Sequence, residues 1–216
     1  MTKFDIITIF PNIIQEYIHT GILSNAIKKR LVKVNVHDLR KWTDNKHKTV
    51  DDTPYGGGPG MIMKIEPIYK AIKELRKENS VVAITTPKGK ILTQEDCEKF
   101  SLKEDLHMII LCGRYEGFDQ RVHDNLVDWE FSIGEYVLSG GELPALVLVD
   151  GITRLISGVL GNEQSLISET FNTNTPDYPT YTKPEIFNNW KVPDTLLSGN
   201  HKEIKEWREK MSKMSK

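Results

Sequence analysis

The chain has 216 residues, of which 38% are hydrophobic and 27% are charged, and its formal net charge is -1 at pH 7. This length permits a sizeable core in one large domain or two small ones, and the composition excludes a disordered chain. No apolar run reaches the length of about 18 residues that a membrane span needs, so no membrane partner is expected.

The amino-terminal part predicts two strands separated by two short helices. Phe4 to Phe10 is a β-branched, apolar run that predicts a buried strand, and Pro11 suits the first position of a following helix. Ser24 is a candidate cap for a second helix that runs through Arg30. Leu31 to Val36 alternates between apolar and polar residues and predicts the second strand. The first residues lack the apolar core of a signal peptide, so a cytoplasmic protein is expected.

Residues 37–64 have no clear period and contain a glycine-rich segment, Thr49 to Gly60. A loop of this length in a compact domain is usually functional or disordered. The possible core anchor Met61 to Met63 favours a binding loop over a flexible linker. The segment follows a basic run, Lys28 to Lys48, in which eight Lys and Arg oppose two Asp, a net +6. Such a run is either a phosphate-binding surface or a solvated face.

Three further strands are predicted, each followed by a turn with proline or glycine. The predicted elements are a helix from Pro67, a strand Val81–Thr86 that ends at Pro87, a short helix capped by Thr93, a strand Leu106–Cys112, a helix Phe118–Leu126 and a strand Val127–Ile133. Alternating strands and helices predict an α/β domain with a largely parallel sheet. Because ligands bind outside the carboxyl ends of such strands, the three turns are expected to form ligand loops at one edge. For any single turn, a plain strand–turn–helix corner is the alternative.

The last third predicts one apolar helix and a small helical module. The helix extends from Glu142 to Ile156, and Arg154 near its end is a charge that needs a partner in apolar surroundings. A polar linker is predicted from Ser157 to Thr175. Two short helices follow, from Pro184 to Trp190 and from His201 to Met211.

Several chemistries are not indicated by the sequence. There is no G-x-x-x-x-G-K-[ST] phosphate loop, no G-x-G-x-x-G after the first strand, no H-E-x-x-H and no G-x-S-x-G. Cys97 and Cys112 have neither metal-site spacing nor a disulfide pattern, so no metal-binding residues are predicted.

Six motifs follow one another in a characteristic order: Tyr55–Met61, Cys112–Gly117, Ser132–Pro144, Gly158–Gly161, Tyr181–Glu185 and Val192–His201. With them the chain resembles, from Phe4 to Trp207, the TrmD family of bacterial tRNA guanine-37 N1-methyltransferases. The resemblance implies the α/β fold of the SPOUT superfamily, a parallel sheet with a deep C-terminal trefoil knot, and a small C-terminal helical domain. Physical rules alone argue against the knot, since true knots are among the rarest topologies.

The resemblance also implies that successive parts of the chain form domains with different functions. Residues 1–160 would form the knotted catalytic domain, residues 161–175 a flexible linker and residues 176–216 a helical tRNA-binding domain. It implies a homodimer with each active site at the subunit interface, for which the apolar helix after Pro144 is a natural contact.

S-adenosylmethionine is the cofactor that the resemblance implies, held in the knot by the three predicted ligand loops. The residues implied are Thr85, Thr86, Pro87, Gly113, Arg114, Tyr115, Glu116, Gly117, Ser132, Ile133, Gly134, Tyr136, Val137, Leu138, Gly140, Gly141 and Pro144. Glycine turns suit this ligand because they permit close backbone approach and main-chain hydrogen bonds. Glu116 would hold the charged end of the methionine moiety. The resemblance also suggests a Mg²⁺ requirement.

Two catalytic residues are carried over by the resemblance. Methylation at guanine N1 requires a general base for the N1 proton and a cation near O6, where negative charge develops. The family's arginine matches Arg154. The family's aspartate falls at Glu169, which is a departure because Glu reaches one methylene further, and about 1 Å can matter greatly in catalysis.

The partner implied is tRNA, gripped around its anticodon arm by the basic run, the glycine-rich loop and the C-terminal module. The residues implied are Lys46, Lys48, Asp51, Tyr55, Gly57, Pro59, Asp177, Lys183 and His201. Thr180 stands where the family typically has His, which is a second departure. Two other functions stay open: a knotted RNA 2′-O-methyltransferase and a catalytically silent RNA-binding protein.

Overall fold

The computed structural model describes residues 1–161 and 178–214, and the chain divides into two compact units after Gly161. The strands of the first unit are β1 (Thr2–Thr8), β2 (Val32–Asp38), β3 (Asp51–Asp52), β4 (Ile62–Met63), β5 (Ser80–Ile91), β6 (His107–Cys112) and β7 (Trp129–Ser132). Its helices are α1 (Pro11–Ile18), α2 (Gly21–Lys28), α3 (Ile65–Leu75), α4 (Gln94–Ser101), α5 (Gln120–Leu126) and α6 (Glu142–Thr153), and Leu39–Trp42 forms a 3-10 turn.

Five strands form one sheet in the order β2-β1-β6-β5-β7, and every pair is parallel. This confirms the predicted α/β class with a parallel sheet. The carboxyl ends of β5, β6 and β7 therefore lie at one edge. The short strands β3 and β4 pair separately and antiparallel, within the stretch for which the sequence predicts only a loop.

Alternate strand residues build a core on each face of the sheet, as the twofold period of a strand requires. Phe4, Met108 and Phe131 belong to the core that includes residues of α1, α2, α4 and α6. Ile109 and Ile84 belong to the core that includes residues of α3 and α5. Burial on both faces explains why these strands read as continuous apolar runs. In the part of the chain that the structure describes, no helix is long and apolar enough to span a membrane.

The predicted boundaries of β5 and α2 are wrong. Strand β5 does not end at Pro87 but continues to Ile91, because its pairing with β7 is interrupted after Thr85 and resumes at Lys90. Proline is tolerated there because it lies where the ladder is broken and needs no N–H donor. Helix α2 begins at Gly21 rather than after Ser24. Ser24 therefore lies within the helix, where it is buried, and does not cap it.

The predicted cap of α4 is confirmed. The Thr93 hydroxyl accepts from the backbone N–H of Asp96 at 3.3 Å, and the Asp96 carboxylate accepts from the N–H of Thr93 at 3.1 Å. Helix α5 begins later than predicted, at Gln120, because Asp119 accepts the N–H of Arg121 and caps it there.

The second unit does not contain the predicted helix from Pro184 to Trp190. Its described part has strands β8 (Ile186–Phe187) and β9 (Trp190–Lys191), which pair antiparallel, then helices α7 (Asp194–Leu197) and α8 (His201–Met214). The two residues between the strands, Asn188 and Asn189, have φ of 48° and 65°. Consecutive left-handed residues favour a two-residue hairpin turn, which asparagine tolerates better than most residues.

A polar network is buried on the sheet around Asp5, which is fully buried. Its carboxylate lies 2.6 Å from Lys3 Nζ, 2.7 Å from Asn35 Nδ2, 2.8 Å from His37 Nε2 and 2.6 Å from His107 Nε2. Ser80 Oγ lies 2.8 Å from the other ring nitrogen of His107. The resulting Ser–His–Asp chain is structural, because Ser80 and His107 are only 8% and 6% exposed and admit no substrate.

We expect this network to make the free energy of unfolding decrease as the pH falls into the acid range. Burial alone would raise the pKa of Asp5, but hydrogen bonds from His37, Lys3, Asn35 and His107 outweigh it and hold the pKa well below its usual range. Its contribution is therefore present above the unfolded-state pKa of about 4 and is lost as pH falls toward the folded-state pKa. Urea unfolding between about pH 5 and pH 3 should show a slope that includes up to about 1.4 kcal/mol per pH unit from this carboxyl. The variant Asp5→Asn should lack that part of the slope; an unchanged slope would contradict the assignment.

Candidate active site

The three predicted ligand loops meet in one cavity of about 510 Å³, at the carboxyl ends of β6 and β7 and at the interruption of β5 between Thr85 and Lys90. Every residue that the sequence analysis names as cofactor-binding lines this cavity. The other lining residues are Lys88, Phe118, Gln120, His123, Glu130, Phe131 and Ser139. The expected convergence of the three loops is thus observed, whereas the binding of a cofactor there stays a prediction.

Gly141 is the point where the three loops touch. Its carbonyl accepts a hydrogen bond from Thr85 Oγ1 at 3.1 Å, and its N–H donates to the carbonyl of Gly113 at 2.8 Å. A Cβ at this position would lie 2.5 Å from Thr85 Oγ1 and 2.7 Å from the backbone nitrogen of Gly113. Only glycine allows the third loop to wedge this closely between the first two.

Arg114 lines the cavity, but its guanidinium is held by the protein itself. Nε and Nη2 lie 2.9 Å and 2.8 Å from Glu142 Oε2, and Nη1 donates to the carbonyl of Ser139 at 3.0 Å. The other oxygen of Glu142 accepts from the Thr8 hydroxyl at 2.7 Å. The guanidinium also lies 4.5 Å from the centre of the Phe10 ring. The guanidinium therefore holds the loop after β6, which carries Arg114, to the loop after β7, which carries Ser139.

Glu142 is a buried partner of the cavity loops that sequence reasoning missed. It begins α6 and is 1% exposed, although it is a carboxylate. The signal was available, because a glutamate directly before the apolar run Leu143 to Ile156 requires a buried partner.

The glycine-rich loop packs against the second cavity loop. Glu116 N–H donates to the carbonyl of Met61 at 3.0 Å, and a Cβ on Gly60 would lie 2.6 Å from Glu116 Cγ. Gly57 has a φ of 79°, in the left-handed region, and the Tyr55 side chain is fully exposed. Pro59 is exposed too, and Asp51 pairs with Met63 in the β3–β4 ladder. The loop thus reaches the cavity loop at Gly60 and Met61, whereas none of its four predicted tRNA residues is among the residues that line the cavity.

The basic run is divided by strand β2. Lys28 and Lys33 flank the amino end of β2, at the edge away from the cavity. Lys46 and Lys48 follow its carboxyl end and are exposed. Only the second half of the run therefore lies at the edge of the sheet that bears the cavity.

Of the two predicted catalytic residues, the structure describes Arg154 and not Glu169. Arg154 caps the carboxyl end of α6 and is half-buried. Glu169 lies outside the described residues, as do Asp177 of the tRNA set and the predicted linker from Asn162 onward.

The remaining tRNA residues belong to the second unit. Lys183 lines a cavity of about 660 Å³ together with Tyr178 and Arg208, whose guanidinium lies 4.9 Å from the Tyr178 ring centre. His201 is exposed at the first position of α8.

Cys97 and Cys112 are both buried, and burial raises the pKa of Cys97 to about 11 and that of Cys112 well above its usual value. Neither thiol is therefore available as a thiolate nucleophile near neutral pH. Within residues 1–161 and 178–214, no three His, Cys, Asp or Glu side chains gather as they would around a metal ion.

Three charged or titratable side chains of the lining, Lys88, His123 and Glu130, lie outside the residues predicted from the sequence. His123 Nδ1 lies 2.8 Å from Glu130 Oε1. No periodicity marks these residues, because each lies on a different element.

Comparison with known proteins supplies the family. The family model described as tRNA (Guanine-1)-methyltransferase TrmD matches residues 2–216. A protein of Dictyoglomus turgidum named tRNA (guanine-N(1)-)-methyltransferase is 50% identical over 210 residues, which are 97% of this chain and 84% of that protein. Proteins with the same name from Clostridioides difficile and Mycoplasma capricolum are 47% and 49% identical, over 97% and 96% of this chain and 92% and 85% of their own lengths. The chain belongs to the TrmD family.

Proposed function

We propose that the protein transfers the methyl group of S-adenosylmethionine to N1 of guanosine 37 in tRNA. The observation that carries this proposal is the meeting of the three predicted ligand loops in one cavity. Family membership and the names of the relatives support the reaction and the tRNA substrate.

The cavity has the features that a nucleoside with an amino-acid tail requires. Its volume of about 510 Å³ lies within the usual range of small-molecule sites. Its loops are glycine-rich where they touch one another, so that main-chain N–H and C=O groups are open to close approach. Bound S-adenosylmethionine would supply an electrophilic methyl group on its sulfonium.

Two residues of the chain itself would act on the guanine, one on the N1 proton and one on the negative charge at O6. Glu169 would take the N1 proton of guanine, and the N1 electron pair would form the bond to the methyl carbon as the carbon–sulfur bond breaks. S-adenosylhomocysteine would then leave. Arg154 would stabilise the negative charge that develops at O6.

The tRNA-binding surface would start at the mouth of the cavity. Lys46 and Lys48 at that edge would contact phosphates, and the Tyr55–Pro59 loop would contact the anticodon arm. The target base would have to leave its stack to reach the donor. Lys183, His201 and Asp177 of the second unit would extend the grip.

We also propose the knotted topology and the domain roles that the resemblance implies. The knot is supported by Gly141, whose backbone is bonded to Thr85 of the first loop and to Gly113 of the second. The division of the chain after Gly161 supports a catalytic domain over residues 1–160 and a tRNA-binding domain over residues 176–216.

An exposed apolar face on α1 and α6 supports the proposed homodimer. Phe10, Ile13 and Tyr17 are 45%, 40% and 43% exposed, and Leu143 and Val147 are 57% and 46% exposed. The helices adjoin, since Tyr17 Oη lies 3.4 Å from Asp150 Oδ1. Apolar side chains gathered in this way usually mark an interface.

We expect Val147→Glu to convert the dimer to monomers. The new carboxylate on each subunit would lose its hydration against the apolar face of the other subunit. Sedimentation equilibrium measures the mass, and a thermal unfolding curve checks that the subunit remains folded. Leu102→Glu is the matched control, since Leu102 is 82% exposed at the end of α4. A Val147→Glu protein that remains dimeric would place the interface elsewhere.

The test of the function is label transfer from methyl-labelled S-adenosylmethionine to unmodified tRNA, followed by mapping of the labelled nucleoside. Label in 1-methylguanosine at position 37 is the expected result. Label in a ribose 2′-O-methyl group would favour the knotted 2′-O-methyltransferase. Binding of tRNA without any label would favour the silent RNA-binding protein.

A further inference from the structure

The hairpin of β8 and β9 in the second unit exposes two aromatic side chains. Phe187 and Trp190 are 57% and 71% exposed, and their ring centres lie 6.0 Å apart. They are directly opposite each other in the ladder, so both side chains project from one face of the hairpin. The family motifs end at Glu185 and resume at Val192, so the resemblance assigns the two aromatic residues no role. Large apolar side chains gathered in water in this way indicate a binding partner.

The aromatic face continues into the cavity of about 660 Å³ in the second unit. The N–H of Val192 donates to the carbonyl of Glu185 at 3.0 Å, which extends the pairing of the two strands. Each of these residues is two positions from the aromatic pair and therefore lies on the same face, about 7 Å along the strand. Both line the cavity, so the aromatic pair adjoins it.

Two cations line the same cavity. Lys183 precedes the hairpin, and Arg208 belongs to α8. The Arg208 guanidinium lies 4.9 Å from the centre of the Tyr178 ring, a cation–π contact that orients it. With Glu185 as its acidic residue, the described lining carries two positive charges and one negative charge. This balance favours a partner with negative charge.

Unpaired nucleotides combine the two features that this surface requires of a partner. Each base has a flat face that stacks on an aromatic ring, and each nucleotide carries a phosphate that Lys or Arg binds. A second copy of this chain would cover the rings without neutralising the cations beside them. The substrate of the proposed function has unpaired bases in its anticodon loop, so a single RNA segment supplies both features.

We propose that an unpaired base of the anticodon loop stacks on Trp190, whose ring Phe187 holds in place, and that Lys183 and Arg208 bind adjoining phosphates. The proposal rests on the proposed function and deepens it, because it gives the second unit a contact with a base in addition to its charged contacts.

Binding of a fluorescently labelled anticodon stem-loop to the whole protein, followed by anisotropy, tests the stack. Trp190→Ala should weaken this binding by at least about fivefold, the lower end of what one base stacked on an aromatic ring contributes. Trp190→Phe should retain most of the affinity because it keeps a flat ring. A fully paired RNA duplex with the same stem should bind the unaltered protein and Trp190→Ala equally, since it offers no free base.

Lys183→Met separates the phosphate contact from the stack. It should weaken the binding of both RNAs and reduce the dependence of log affinity on log salt by about one, whereas Trp190→Ala should leave that dependence unchanged. Ile186→Ala is the matched control and should change neither affinity, since Ile186 is 51% exposed on the opposite face of the same hairpin. Thermal unfolding curves should show that each variant is folded.

Equal weakening of stem-loop and duplex by Trp190→Ala, or no weakening of either, would overturn the stack. A Trp190→Ala protein that dissociates to monomers and binds the stem-loop as before would overturn it too, in favour of a second copy on this face. If the unaltered protein bound the stem-loop but transferred no methyl group, the proposed reaction would fall while the stack remained. If it bound neither RNA, both would fall.

Discussion

Glu169→Ala is expected to lower the rate of methyl transfer to tRNA by about 10²–10⁴-fold, the usual contribution of a general base. The reason is that guanine N1 carries a proton that must leave before the nitrogen can attack the methyl carbon. Single-turnover measurement with saturating tRNA and donor gives this rate without product release. The affinity for S-adenosylhomocysteine should be unchanged, since the substitution leaves the three loops that line the cavity as they are.

Two companion variants sharpen that test. Glu169→Asp places the family's residue in this chain and asks whether the extra methylene matters, because a misplacement of about 1 Å can change the rate greatly. Glu169→Gln keeps the size and removes the charge, and it should be as slow as Glu169→Ala. Substantial turnover by Glu169→Ala would show that another group accepts the N1 proton.

The pH profile provides an independent readout of the base. If a carboxylate accepts the N1 proton, the single-turnover rate should fall at acid pH as that carboxylate becomes protonated. Glu169→Ala should lack this limb of the profile. A merely structural glutamate would lower the rate at every pH by the same factor.

The sheet could be predicted from the sequence because its pattern is local. Runs such as Leu106 to Cys112 are apolar and short, turns follow them at once, and the family motifs mark the three loops. The convergence of those loops also follows from one rule about parallel sheets. Whether a segment forms a strand or a helix could thus be predicted wherever the pattern of buried residues alone decides it.

What could not be predicted depends on contacts between distant residues. Strand β5 continues past Pro87 only because β7 pairs with it twice. The hairpin at Asn188–Asn189 depends on backbone angles rather than on hydrophobic period. The role of Arg114 was assigned from its place in a motif, whereas its side chain turns to Glu142, 28 positions along the chain. A motif places a residue near a site without saying which way its side chain points.

The Thr8–Glu142–Arg114 contact joins three elements that the sequence separates widely. Glu142 anchors the start of α6, Arg114 belongs to the loop after β6, and Thr8 ends β1. Gly140 permits the contact, since a Cβ there would lie 2.1 Å from Arg114 Nε. The same guanidinium holds the Ser139 carbonyl, so the third cavity loop depends on a charge that is itself balanced by Glu142.

We therefore expect Glu142→Met to lower the free energy of unfolding by about 3–5 kcal/mol, because it leaves the Arg114 charge without its buried partner. Urea unfolding measures the loss, and a weaker affinity for S-adenosylhomocysteine should accompany it as the loop loses its anchor. Glu135→Gln, an exposed glutamate of the same loop, is the control and should change neither quantity. The double variant Glu142→Met with Arg114→Met should recover most of the stability, since replacing both partners of a buried pair by apolar groups is often neutral. Ligand affinity should stay low in that double variant, because the bond from Arg114 to Ser139 is still missing. If affinity returned together with stability, the guanidinium would not position the cavity loop, and its contact with Glu142 would serve the fold alone.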